Sequence, residues 1–142
     1  MMQPEVQSLA ERHRDAWKRR DPAALAACHH QDGVISSPLF ATARGRAAIE
    51  ASYAALFTAF PDVTFTVDAT VVDLPYVASF ETFRGTHLNE FLGYPGTNRR
   101  FEFSLARLMT VENGLITHQR AIYDFTGWLV QLGLLRAKPG KP

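Results

Sequence analysis

The chain is short of several features that would have declared its chemistry. It has one cysteine, Cys28, which excludes an internal disulfide framework and a cysteine-based zinc site. It has no charge of one sign to spare. Lys and Arg number 15 against 14 for Asp and Glu, a net charge of +1, and an electrostatic nucleic-acid binder carries a marked basic excess. No apolar run approaches the roughly 18 residues of a membrane span. The start, Met1-Met2-Gln3-Pro4-Glu5, lacks the basic and apolar regions of a signal peptide. The expectation is a soluble cytoplasmic protein with neither nucleic acid nor membrane as partner. The 142 residues hold no repeat and no linker, so one domain is expected over 1–137. Lys138-Pro139-Gly140-Lys141-Pro142 is expected to be a frayed tail.

The first half reads as helical. Val6, Leu9, His13, Ala16 and Trp17 recur at three- and four-residue steps between Pro4 and about Arg19, and share one face. Asp21-Pro22 is a helix start, with Asp as N-cap and Pro at the first helical position. A short helix with Ala24, Leu25 and Cys28 follows. Gly33-Val34-Ile35 reads as a short strand cut by Pro38. A third helix runs from about Arg46 to Phe60, with Ile49, Tyr53, Leu56 and Phe60 on its buried stripe and Pro61 as its stop.

The second half reads as sheet. Val63 to Val67 alternates, Val77 to His87 is extended, and Arg99 to Val111 alternates with Phe101, Phe103, Leu105, Arg107 and Met109 on one face. Asn113-Gly114 is a hairpin turn, Leu115 to Tyr123 the return strand, and Phe125 to Leu135 a closing helix with Phe125, Trp128, Leu129 and Leu132 as its stripe. Helices first and antiparallel strands after predict an α+β fold with helices on one face of a curved sheet.

Several motifs carry a resemblance. They are Ala16-Trp17-Lys18-Arg19-Arg20-Asp21, Arg44-Gly45-Arg46-Ala47-Ala48-Ile49, Phe60-Pro61-Asp62, the stretch from Gly85-Thr86-His87 to Asn98-Arg99-Arg100, and Tyr123-Asp124-Phe125-Thr126-Gly127-Trp128. In this order and spacing the chain resembles the SnoaL-like polyketide cyclases of the nuclear transport factor 2 superfamily, relatives of the ketosteroid isomerases. The resemblance implies a cone-shaped fold, a lipophilic pocket between helices and sheet, and frequent homodimers packed through the sheet; no cofactor is expected. It also exposes departures. The position of the cyclases' acid/base Asp in the last strand falls on Ala121. The isomerases' base Asp falls on Ser37, and their oxyanion Tyr and Asp fall on His13 and Arg107. A serine hydroxyl is too weak a base to replace the aspartate, and a guanidinium stays charged, so Arg107 is no proton donor of matched pKa.

Arg107 lies on the apolar phase of its strand. A buried guanidinium needs a partner: either a carboxylate, phosphate or enolate oxygen of a ligand, or an internal Asp or Glu. If no acid reaches it, the ligand should be partly anionic. His13 lies a turn from Trp17 and is either a general base or a satisfied core histidine. These two are the candidate catalytic residues. Gln119 and Tyr123 share the phase of Ala121. With Trp17, Ser37 and Tyr53 they form the candidate substrate-binding set. Asp124, before the last helix, is expected to be an N-cap. His87 is either a binding or a structural residue. His29-His30 reads as a surface pair near a helix end, Cys28 as core, and no His, Asp and Glu set has metal-ligand spacing. Ile116, Leu108 and Ile122, on the phase opposite Arg107, suggest a dimer face. Three functions stay open: a cyclase- or isomerase-type enzyme moving a proton on a lipophilic carbonyl compound, a small-molecule binding or sensing domain, and a dimeric interaction module with a filled pocket.

Overall fold

The structure, a computed structural model, describes residues 3–136; the tail from Lys138 lies outside them. Helices α1 (Pro4–Lys18) and α2 (Pro22–Ala27) lead into strands β1 (His29–Ser37) and β2 (Ala41–Arg44) and helix α3 (Arg46–Ala59). Strands β3 (Thr64–Asp73), β4 (Tyr76–Thr86), β5 (Arg100–Glu112) and β6 (Leu115–Tyr123) and helix α4 (Phe125–Gln131) complete the order. The strands form one sheet in the order β2-β1-β6-β5-β4-β3. Only the β1–β6 pair is parallel among those described. Helices lie over the inner face of this curved sheet, as an α+β domain requires. Among the described residues no helix is long and apolar enough to cross a membrane.

Local chemistry places the boundaries. Asp21 caps α2 by accepting from Ala24 N–H at 3.0 Å. Asn113 and Gly114, both at positive φ, make the β5–β6 turn. Helix α4 stops at Gln131, short of the expected Leu135. Gly133 takes φ +76, and the N–H groups of Gly133 and Leu134 donate to the carbonyls of Val130 and Leu129. That backbone pattern closes a helix at a left-handed glycine. The strand expected at 33–35 instead runs from His29 to Ser37, and the one expected to end at Val67 continues to Asp73. Strand β2, with the undistinctive sequence Ala41-Thr42-Ala43-Arg44, was not expected.

The main core surrounds Trp17, whose ring meets Tyr53, Phe57, Phe65 and Phe83 edge-on at 5.3–5.4 Å between centroids. A smaller cluster of Val6, Leu9, Cys28, Val77, Met109, Val111 and Ile116 closes the other end of the sheet. Ile116 is thus buried, not on the outer face. An irregularity between Thr110 and Val111 shifts the β5–β6 register, so Ile116 opposes Val111 and turns inward. Leu108 and Ile122 remain exposed on the outer face, and Tyr76, Phe80 and Val71 join them.

Candidate functional site

Period-two alternation turns Phe101, Phe103, Leu105, Arg107 and Met109 of β5 toward the helices. Gln119, Ala121 and Tyr123 of β6 do the same through their pairing with Met109, Arg107 and Leu105. With Trp17 from α1, Tyr53 from α3, Ser37 from the end of β1 and Trp128 from α4, these groups enclose an inner cavity of about 50 Å³. That volume holds a few waters at most. The walls are otherwise aliphatic and aromatic, so any polar group there acts in a low-dielectric setting.

Six of the seven candidate residues meet at this cavity: Trp17, Ser37, Tyr53, Arg107, Gln119 and Tyr123. His13 does not. It lines a separate cleft of about 530 Å³ between α1 and strands β3 to β5, which shares the Arg107 side chain with the cavity. His13 sits one helical turn before Trp17, and this offset carries it past the guanidinium rather than beside the indole.

The decisive residue at Arg107 is one the sequence did not single out. Glu81, on β4, receives a hydrogen bond from Arg107 Nε at 2.7 Å, with both side chains under 5% exposed. Ser79 donates to the same carboxylate oxygen at 2.9 Å. In the β4–β5 register Arg107 lies opposite Ser79, one inward step from Glu81. Burial opposes the charged guanidinium, but the Glu81 charge, ahead of Tyr53, outweighs it and holds Arg107 above its usual pKa. Arg107 also lies 5.8 Å from the centroid of the Trp17 ring. The condition for an anionic ligand at this guanidinium, that no internal acid reaches it, is therefore not met. One signal in the sequence could have located Glu81: it shares the phase of Val77 and Phe83 in an extended segment, an acid on a strand's apolar side.

Other polar groups on the cavity are partly engaged. Tyr53 OH accepts from Gln119 Nε2 at 3.3 Å, and burial pushes its hydroxyl pKa up. Ser37 Oγ accepts from Phe40 N–H at 3.0 Å, and Tyr123 OH accepts from Leu39 N–H at 3.1 Å. These two hydroxyls therefore fix the β1–β2 turn. Trp17 Nε1, Trp128 Nε1 and Gln119 Oε1 are buried without a hydrogen-bond partner. Two of these three atoms, the indole nitrogens, are donors without acceptors, and both belong to residues that line the cavity.

Outside the cavity, His13 is buried with Nε2 unpartnered. Desolvation first, then the charges of Arg107 and His29, holds it well below its ordinary pKa, so it is neutral at pH 7. His29 is wholly buried and makes a 2.9 Å hydrogen bond from Nδ1 to the Leu25 carbonyl, while His30 is exposed. The expected surface pair is thus split, because β1 begins at His29 and alternation sends neighbours to opposite faces. His87 is structural. Its Nδ1 meets Thr97 Oγ1 at 3.0 Å and Thr97 N–H at 3.3 Å, and its ring packs on Phe60. Cys28 is core, with burial raising its pKa. Asp124 caps α4, accepting from Gly127 N–H at 2.8 Å. Among the described residues no group of three or more His, Cys, Asp and Glu could hold a metal.

The SnoaL-like polyketide cyclase profile matches residues 7–132. The chain belongs to the SnoaL-like polyketide cyclase family. Nogalonic acid methyl ester cyclase of Streptomyces nogalater is 37% identical to this SnoaL-like chain over 59 residues, 42% of the chain and 44% of the enzyme. The match thus spans less than half of that enzyme. Among solved structures, TsrD from Streptomyces laurentii has a TM-score of 0.80 at 29% identity, covering 95% of this chain and 99% of its own. IdmH from Streptomyces antibioticus has a TM-score of 0.75 at 28% identity, covering 90% and 98%. Against this SnoaL-like background Ala121 and Ser37 lie on the cavity, and the carboxylate beside Arg107 comes from β4.

Proposed function

We propose that this protein binds a neutral, lipophilic, carbonyl-rich compound in the inner cavity and acts on it as a cyclase- or isomerase-type catalyst of proton transfer. The observation that carries the reading is the excess of buried donors. The indole N–H groups of Trp17 and Trp128 have no acceptor, and Arg107 can only donate. A ligand rich in carbonyl oxygens satisfies such a lining, and one rich in N–H groups does not. Glu81 balances the Arg107 charge, so the ligand need bring no anion. The family and the cyclase named above support the same class. At about 50 Å³ the cavity must widen to admit a ring system, since small-molecule pockets run from roughly 300 Å³ upward.

In this reading the Arg107 guanidinium and the Tyr53 hydroxyl hold a carbonyl oxygen and stabilise the enolate that forms when a neighbouring carbon loses its proton. Ser37, Gln119 and Tyr123 supply further hydrogen bonds. His13, neutral and lining the neighbouring cleft behind Arg107, is the base proposed to take that proton once the cavity has widened toward it. The sheet's outer face, with Phe80, Leu108 and Ile122 exposed, packs against a second copy.

A binding role without turnover is the second reading. One observation favours it: the residues lining the inner cavity include no carboxylate and no histidine. Enolisable aromatic polyketones, followed by absorbance for turnover and by calorimetry for binding, separate the two. Binding and turnover in the wild type, with turnover lost and binding kept in His13→Ala, support catalysis. Binding without turnover in the wild type leaves the binding role, and absence of both overturns the reading.

A further inference from the structure

The cleft on the far side of Arg107 holds His13 and shares the Arg107 side chain with the inner cavity, but its remaining walls belong to α1, β3, β4 and β5 and take no part in the substrate site proposed above. We infer that it is a second ligand site, shaped for an amphipathic carboxylic acid.

The cleft arises because β3 lies at the edge of the sheet and α1 stands off from it. Strand β3 is almost wholly exposed. Even Val67, which pairs with Glu81 on the inward phase, is 47% exposed. The resulting hollow measures about 530 Å³, within the range of small-molecule pockets. Its walls are apolar through Phe65, Val67, Val77 and Met109. Its floor holds the Arg107–Glu81 pair and His13, which is 7% exposed and has no partner at Nε2.

Charge decides the ligand's head group. Arg14 and Lys18 stand one helical turn apart on α1 and both line the cleft. Neither is in a salt bridge among the described residues. The only carboxylate lining the cleft is Glu81, already held by Arg107 and Ser79. With His13 neutral, the lining carries three cations to one anion. A carboxylate at the rim between Arg14 and Lys18 reduces that excess where water still helps to solvate it, and an alkyl body then runs along Val67 and Met109 toward His13. A hydroxyl or keto oxygen near the far end of that body gives the imidazole the partner it lacks. The negative charge thus belongs at the rim of the cleft rather than at the compensated Arg107. The inference does not depend on turnover in the inner cavity.

Octanoate and its neutral counterpart 1-octanol are the probes, with calorimetry for affinity and ring signals of His13 and Tyr53 in NMR for location. Octanoate should bind about tenfold more tightly than octanol, the worth of two rim ion pairs, and should move the His13 signals while leaving Tyr53 unmoved. Arg14→Gln with Lys18→Gln should remove the advantage of octanoate and leave octanol unchanged. Val67 is half exposed, so Val67→Trp fills the cleft without entering the core. It should abolish octanoate binding at an unchanged melting temperature. Equal affinities for the two probes, no binding of octanoate, or binding that survives Val67→Trp and moves Tyr53 instead would overturn the site. Failure of the carbonyl compounds in the inner cavity would leave these outcomes untouched.

Discussion

Replacing Glu81 by Leu tests the most consequential contact in the molecule. The substitution leaves Arg107 buried, still charged, and without its 2.7 Å partner. It also deprives Ser79 of the acceptor it uses at 2.9 Å. Removing one member of a buried ion pair costs about 3–5 kcal/mol, because the remaining charge keeps its desolvation penalty and loses its compensation. Domains are stable by only about 5–15 kcal/mol, so Glu81→Leu should consume about a fifth or more of the total. For a chain of this size each kcal/mol moves the melting temperature by about 3–4 °C, which predicts a fall of about 10–20 °C. The second half of the test is the double variant Glu81→Leu with Arg107→Met. Replacing a buried pair by apolar residues of similar volume is often neutral or stabilising, so the double variant should regain most of the loss, to within about 1–2 kcal/mol of wild type. Urea and thermal unfolding of the four proteins give the coupling energy directly. A loss below about 1 kcal/mol for Glu81→Leu, or a double variant as unstable as the sum of the singles, would refute the assignment of Glu81 as the counter-ion of Arg107.

Asp124→Ala should lower stability by about 1 kcal/mol and leave affinity for carbonyl ligands unchanged. Gly127→Ala should destabilise as well, since a Cβ there runs into the Asp124 carboxylate, whereas Gly→Ala in an open helix stabilises; chemical denaturation reads both. His13 and His29 are both held below their ordinary 6.5 in the fold, burial being the main cause. Below that value the unfolded chain takes up protons that the fold refuses. Their contribution is therefore complete above about pH 6.5 and is lost as the pH falls, by up to about 1.4 kcal/mol per pH unit for each histidine. Urea midpoints between pH 7.5 and 5 should show that slope, and His13→Leu should make it shallower. On the outer face, Phe80→Lys with Ile122→Lys should convert the proposed dimer to a monomer in sedimentation equilibrium without altering the circular dichroism spectrum.

Much of the architecture was legible along the chain, because it is set by neighbours in sequence. Asp21-Pro22, Asn113-Gly114 and Asp124 act within three residues of themselves. The alternation from Phe101 to Met109 carries its own inward face. The SnoaL-like motifs gave the order of elements, and six of the seven candidate residues converge on one cavity. What the sequence could not decide depends on register and on distance through space. Arg107 and Glu81 are 26 residues apart, and only the antiparallel register of β4 on β5 makes them partners. A single irregularity at Thr110 and Val111 turns Ile116 from the outer face into the core, because one extra residue reverses every side chain beyond it. His13 parts from the other candidates through the position of α1 over the sheet, a tertiary property with no local code. The same applies to the burial of His29, which follows from a parallel pairing of β1 with β6 across the whole chain. Composition and periodicity thus determine the inward face of an unbroken strand or helix. Which inward residues meet is decided by strand register and helix placement, since hydrophobic burial is non-directional and specifies no partner.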